Sequence, residues 1–167
     1  MSDKLIYLEQ VSSRRTGVLF IILMIAFFIP FIWVARTSLF GGWSTFFFCL
    51  SAFFLFYAVN YRTLIIRLTE ETIRLKFGVF SRNIPYDNIE NCFLDTSVAP
   101  RSGGAGIHFM FIKGRYTAMF NFIEYDRVVV SLKVRKGPVR DIAFSSRQTE
   151  ELMQIIREKA GLQAAGG

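Results

Sequence analysis

Histidine, cysteine, serine and the carboxylates are the groups through which this 167-residue chain would do covalent or metal chemistry, and their spacing supports neither. The single histidine, His108, follows Gly103-Gly104-Ala105-Gly106. Alternation puts it on a strand face with Met110 and Ile112, where an isolated imidazole packs. A metal site needs partners at ligand spacing, and no Cys/His/carboxylate cluster provides them. The glycines lack the Gly-Lys-Ser/Thr that completes a phosphate loop and open no helix, so they read as a flexible loop. Cys49 falls in an apolar run and Cys92 in a β-patterned region. No disulfide is expected between them, and Cys92 reads as a small buried hydrophobe. Ser145 and Ser146 are placed as helix caps, not as nucleophiles. Asp87, Glu90, Asp95, Glu124 and Asp126 are spaced like turn and surface residues, without the convergence that acid–base work needs. The expectation is a non-enzymatic protein with no cofactor.

Basic residues carry the remaining chemistry. The formal charge is +7, and from Tyr61 onward 16 Lys/Arg stand against 11 Asp/Glu. Arg67, Arg74 and Lys76 form the densest group, with Arg62 and Arg82 on either side. Lys113 and Arg115 at a hairpin tip, and Lys133, Arg135 and Lys136 at a strand end, form secondary groups. Such charges near a bilayer are candidates for anionic headgroups. No nucleic-acid motif accompanies them, and no nucleic acid is expected as a partner.

The bilayer is implied by what precedes these residues. Hydrophobic residues make up 52% of the chain, and the excess is concentrated before residue 60. Residues 17–35 contain no charge and, as a helix, would run about 28 Å, close to the hydrocarbon thickness. A second run, 39–59, follows after only Arg36-Thr37-Ser38, which forces an antiparallel hairpin with Trp33 and Trp43 flanking the turn. A cleaved signal peptide is disfavoured by the length of the first run and by the second run directly behind it. Lys4, Arg14 and Arg15 precede the hairpin, Arg62 and Arg67 follow it, and Arg36 alone occupies the turn. The positive-inside rule then puts both termini in the cytoplasm of a multi-pass protein of the cell membrane. No ionisable residue lies mid-span, so no ion or proton pathway is expected. The predicted organisation is an N-terminal cytoplasmic segment (1–16), a transmembrane hairpin (17–60, helices about 17–36 and 39–60), a β domain (61–161) and a disordered tail (162–167).

Period-two alternation begins at Tyr61. Leu64, Ile66 and Leu68 share one face, as do Ile73, Leu75 and Phe77 after a turn at Glu70-Glu71. That turn pairs Leu68 with Ile73, Ile66 with Leu75 and Leu64 with Phe77, so core meets core and the register is self-consistent. The same register sets Arg67 opposite Arg74, an unfavourable pairing that invites a nearby anion. Further strands are expected near 83–86, 90–96, 107–112, 116–122, 127–134 and 139–144, about seven or eight antiparallel strands in all. In the 127–134 strand Val128, Val130, Leu132 and Val134 are assigned one face. Ser145 and Gln148 suggest a capping box, Leu152, Ile155 and Ile156 repeat at helical spacing, and Gly161 is a stop.

From Tyr61 to about residue 160 the chain resembles the bacterial pleckstrin-homology-like domain. The resemblance rests on IIRLTEETIRLKFGVFSRNIPYDNIENC and on the closing AFSSRQTEELMQII. It implies a partly open β-barrel of about seven antiparallel strands in two sheets, capped by a C-terminal helix. Arg67, Arg74 and Lys76 resemble the phosphoinositide signature of eukaryotic pleckstrin-homology domains. They depart from it in having Arg for the first Lys, Lys for the last Arg, Glu70-Glu71 in the turn, and no Trp in the last helix. The expected function is therefore a membrane-anchored binding or scaffold module presenting a basic surface. The alternative is a structural subunit that assembles with itself or with other membrane proteins, Gly41-Gly42, Ser44, Ser51 and Ala52 supporting helix packing.

Overall fold

The computed structural model describes residues 4–37, 41–95, 106–112, 114–122 and 124–162. The loop residues Gly103–Ala105, Lys113, Ser38 of the inter-helix turn and the tail beyond Leu162 lie outside them. The chain divides into two compact units: Ser13–Arg62, and the residues up to Ser12 together with those from Thr63 onward.

The first unit is a helical pair, α1 (Arg14–Ala35) and α2 (Gly42–Asn60), both long and apolar enough to cross a membrane. Ser13 caps α1, its Oγ accepting from Thr16 N at 2.9 Å. The helices meet through small residues and rings. Ser44, Ser51 and Ala58 are buried, Ser51 Oγ donates to Met24 O across the pair, and Phe54 stacks with both Phe20 and Phe27. Phe46, Phe48 and Phe53 point outward, as do Trp33 and Trp43.

The second unit holds nine strands among the described residues. A four-stranded antiparallel sheet has the order β1 (Leu5–Ser12), β2 (Thr63–Thr69), β3 (Thr72–Phe77), β4 (Phe80–Pro85). A five-stranded sheet has the order β5 (Ile89–Leu94), β8 (Arg127–Lys136), β9 (Val139–Ser145), β7 (Arg115–Asn121), β6 (Gly106–Ile112). The predicted β2–β3 register is found residue for residue, and its six inward side chains are fully buried. They pack on the facing sheet: the Phe77 ring lies 5.1 Å from Phe122 and 6.4 Å from Phe120. The sheets do not close into a barrel among the described residues. Helix α3 (Thr149–Lys159) buries Leu152 and Ile156, with Arg157 Nε donating to Cys92 O. It stops at Gly161 (φ 64°), where Gly161 N bonds Glu158 O and Leu162 N bonds Arg157 O in a Schellman arrangement.

Four expectations are corrected. Residues 5–12, expected only as part of an N-terminal segment, form a strand: β1 pairs with β2, Ser12 against Thr63, so the helical pair is inserted between two paired strands. The sheets are not wholly antiparallel, because β7 and β9 run parallel. Val134 leaves the apolar face and is 70% exposed. The β8–β9 ladder is irregular after Ser131, and Asn88 instead holds Val134, accepting from its N–H and donating to its carbonyl. There is no Ser145–Gln148 capping box. Ser145 is buried at the end of β9, its Oγ accepting from Phe122 N and donating to Asn121 Oδ1, while Gln148 occupies the cap position without a side-chain capping bond.

Candidate functional site

Two faces of the β unit gather candidate functional side chains. The first is the outer face of the four-stranded sheet. Alternation that buries Leu64, Ile66 and Leu68 turns Arg67 outward, and the β3 register brings Arg74 directly opposite it. Lys76 lies one step along that face, paired with Ile65 on one side and Ser81 on the other. All three cations are exposed. Leu8 of β1, 54% exposed, stands beside Arg67, so the face is basic with an apolar border.

The other predicted cations are dispersed. Arg62 belongs to the helical unit. Arg82 pairs with Leu75 and is therefore on the opposite side of the sheet from Lys76, half-buried beside a 230 Å³ cavity shared with Asn88 and Leu132. Lys133 is exposed and donates to Asp87 O at 2.9 Å. Arg135 and Lys136 end β8, with side chains outside the described residues, as is Lys113.

Arg115 is drawn into the second site, a cleft of about 380 Å³ on the outer face of the five-stranded sheet. The strand register builds its floor in rows. Asn91, Ser131, Asp141 and Thr117 face one another across β5, β8, β9 and β7, with Phe93, Val129, Ala143 and Met119 in the next row. Arg115 Nη1 lies 3.4 Å from both Asp141 Oδ1 and Ser131 Oγ and 3.9 Å from Glu90 Oε2. At the far end Asp95 and Arg127 form a buried 2.8 Å ion pair. Sequence reasoning treated Glu90 and Asp95 as surface acids and passed over Asp141. The available signal was the alternation Asp141, Ala143, Ser145, which repeats on β8 as Arg127, Val129, Ser131.

His108 adjoins the same surface, paired in register with Met119. Among the described residues its buried Nε2 has no partner, and burial together with the Arg127 charge holds the imidazole below its ordinary pKa of 6.5. The unfolded chain therefore takes up a proton near pH 6.5 while the folded chain does not. This contribution is fully retained above pH 6.5 and lost as the pH falls from there toward the folded value. Denaturant titrations of the detergent-solubilised chain from pH 7.5 to 5 should show a steeper loss for wild type than for His108→Phe. Equal slopes would remove His108 from the account. Cys92 is inert for a related reason: burial pushes its thiol up to about 12. Among the described residues no group of three or more His, Cys, Asp or Glu is arranged to hold a metal ion.

No family model, curated protein or solved structure matches the chain.

Proposed function

We propose that this chain is a membrane-anchored, non-enzymatic binding module, pleckstrin-homology-like in architecture, that presents a basic sheet face to anionic headgroups at the cytoplasmic side of the cell membrane. The carrying observation is Arg67 directly opposite Arg74 with Lys76 beside them, three exposed cations on one sheet face. Anchoring is supported by the two long apolar helices and by the short chain between the units: Ser12 passes straight into Ser13, and Asn60 reaches Thr63 through Tyr61 and Arg62. The cations flanking the helices outnumber Arg36 in the turn, which favours the cytoplasmic orientation. Two sheets followed by a C-terminal helix support the fold reading.

Changing Arg67, Arg74 and Lys76 together to Gln should weaken this contact by about 3 kcal/mol, roughly 100-fold, at about 1 kcal/mol per charge. A dye on Ser81→Cys, in a Cys49→Ala background, reports it in nanodiscs. Quenching by headgroup-labelled lipid should be strong in anionic bilayers, and it should fall in 0.5 M salt and in the triple variant. Equal quenching in neutral and anionic bilayers would sink the proposal.

One observation favours the alternative, assembly with a second copy. Among the described residues the outermost strand of the five-stranded sheet is β6, seven residues long, with no charge and no proline, and it exposes Phe109 and Phe111. Such an edge strand pairs readily with another strand, and edge backbone groups suit a strand better than lipid. Mass measurement in detergent decides: a strict monomer at all concentrations removes this reading.

A further inference from the structure

We infer that the turn between β3 and β4, Gly78-Val79-Phe80, dips into the headgroup layer of the bilayer and holds the β unit there by its apolar side chains. The inference rests on reading α1 and α2 as membrane spans, and it concerns a different surface from the basic sheet face. Two-residue hairpin turns ordinarily carry polar residues or glycine. The β2–β3 turn does so with Glu70-Glu71. At the β3–β4 turn Gly78, at φ 60°, lets the strands join within two residues, and the residue at the tip is Val79. Val79 is 64% exposed, and Phe80 beside it is 51% exposed. Single exposed apolar side chains are ordinary, but two adjoining ones at a hairpin tip suit apolar surroundings.

The strand register identifies those surroundings. Val11, Leu64, Phe77 and Phe80 form one row across the four-stranded sheet, one step in from the pair Ser12–Thr63. The β3–β4 turn therefore lies at the end of the sheet where β1 finishes and β2 begins. Neighbouring strands stand about 4.8 Å apart, which puts β4 only about 10 Å across the sheet from β2. The chain enters and leaves the helical pair at this same end: Ser12 passes directly into Ser13, and only Tyr61 and Arg62 separate Thr63 from Asn60. Glu70-Glu71, which an anionic surface would repel, occupies the opposite end. The cations agree with this polarity. Arg14 and Arg15 follow β1 in sequence, Arg62 precedes β2, and Lys76 pairs with Ser81 one step from the turn. An apolar tip with basic flanks matches a bilayer surface, where apolar side chains reach the acyl boundary while cations stay at the phosphates.

The test uses the full chain, without substitutions, in phosphatidylcholine/phosphatidylglycerol nanodiscs, with valine methyl groups observed by NMR. Three valines of similar exposure report on it: Val59 in α2, Val79 at the turn and Val134 in β8, at 66%, 64% and 70%. A lipid carrying a nitroxide just below its headgroup should broaden Val59 and Val79 severalfold more than Val134. A water-soluble gadolinium chelate should broaden Val134 the most. The contrast should persist in pure phosphatidylcholine and in 0.5 M salt, because an apolar contact is not screened, whereas contact through the basic sheet face would fall in both. Val79 behaving like Val134, or losing its lipid broadening in salt, would overturn the inference. So would protection of Val79 from both probes, which would assign the tip to a protein partner. Broadening of Val59 without Val79 removes the turn contact alone. If Val59 escapes the lipid probe as well, the membrane-span reading falls with it.

Discussion

Glu9→Ala is expected to destabilise the β unit by about 5 kcal/mol, the low end of what three lost hydrogen bonds to a charged acceptor give at roughly 1.5–3 kcal/mol each. Glu9 is 8% exposed on the inner side of β1. One oxygen accepts from Arg147 N at 2.7 Å; the other accepts from Ser146 Oγ at 2.6 Å and from Tyr7 Oη at 3.1 Å. Burial and the adjacent carboxylate push the Tyr7 phenol upward, so Tyr7 remains a donor. Around this centre, Tyr125 Oη and Arg147 Nη2 both donate to Ser12 O, and the Arg147 guanidinium stands 5.1 Å from the Tyr125 ring. The N-terminal strand is thus fastened to the start of the C-terminal helix across most of the sequence. Denaturant unfolding of the full chain in detergent measures the loss. Glu9→Gln, which keeps one acceptor for Arg147 N, should cost about half as much. A change below about 1 kcal/mol for Glu9→Ala would show that β1 is held by its β2 ladder alone.

Arg127→Met should be of similar size, about 3–5 kcal/mol, because it removes one partner of a short, enclosed ion pair. The pair is short and enclosed, with side chains 7% and 12% exposed, and Asp95 N also donates to Arg127 O. Burial pushes the guanidinium down and Asp95 opposes this, so the charge is kept by its partner. A second change, Asp95→Leu, should recover most of the loss, since an apolar pair of similar volume is often neutral. If the double variant is as unstable as the single one, packing and not charge explains Arg127. The same variant should raise the His108 pKa, because one of the two causes depressing it has gone. NMR titration of the imidazole would read this directly.

The β2–β3 hairpin was legible because its information is local. A two-residue turn and strict alternation leave one register that buries Leu64, Ile66, Leu68, Ile73, Leu75 and Phe77 together. That register also delivers Arg67 opposite Arg74, so the basic face was readable before any coordinates. Strand β1 was missed because its inward row reads Tyr7, Glu9, Val11, and a glutamate in that row disguises the core side. Its partner strand, moreover, lies fifty residues away, beyond the helical pair. The cleft was missed because Asp141, Ser131, Thr117 and Arg115 come from three separate strands, and no one segment shows their convergence.

The sequence by itself determined the two apolar helices, the alternating strands, the first hairpin's register and the closing helix with its Gly161 stop. Each of these follows from periodicity or from a turn residue within a few positions. Tertiary structure alone decided that β7 and β9 run parallel, since alternation is the same in either direction. It alone fastened β1 to α3 through Glu9 and moved Arg115 from a solvent-facing hairpin tip into an acidic cleft. These contacts join residues whose separation along the chain leaves no periodic trace, and their energies exist only once the sheets have assembled.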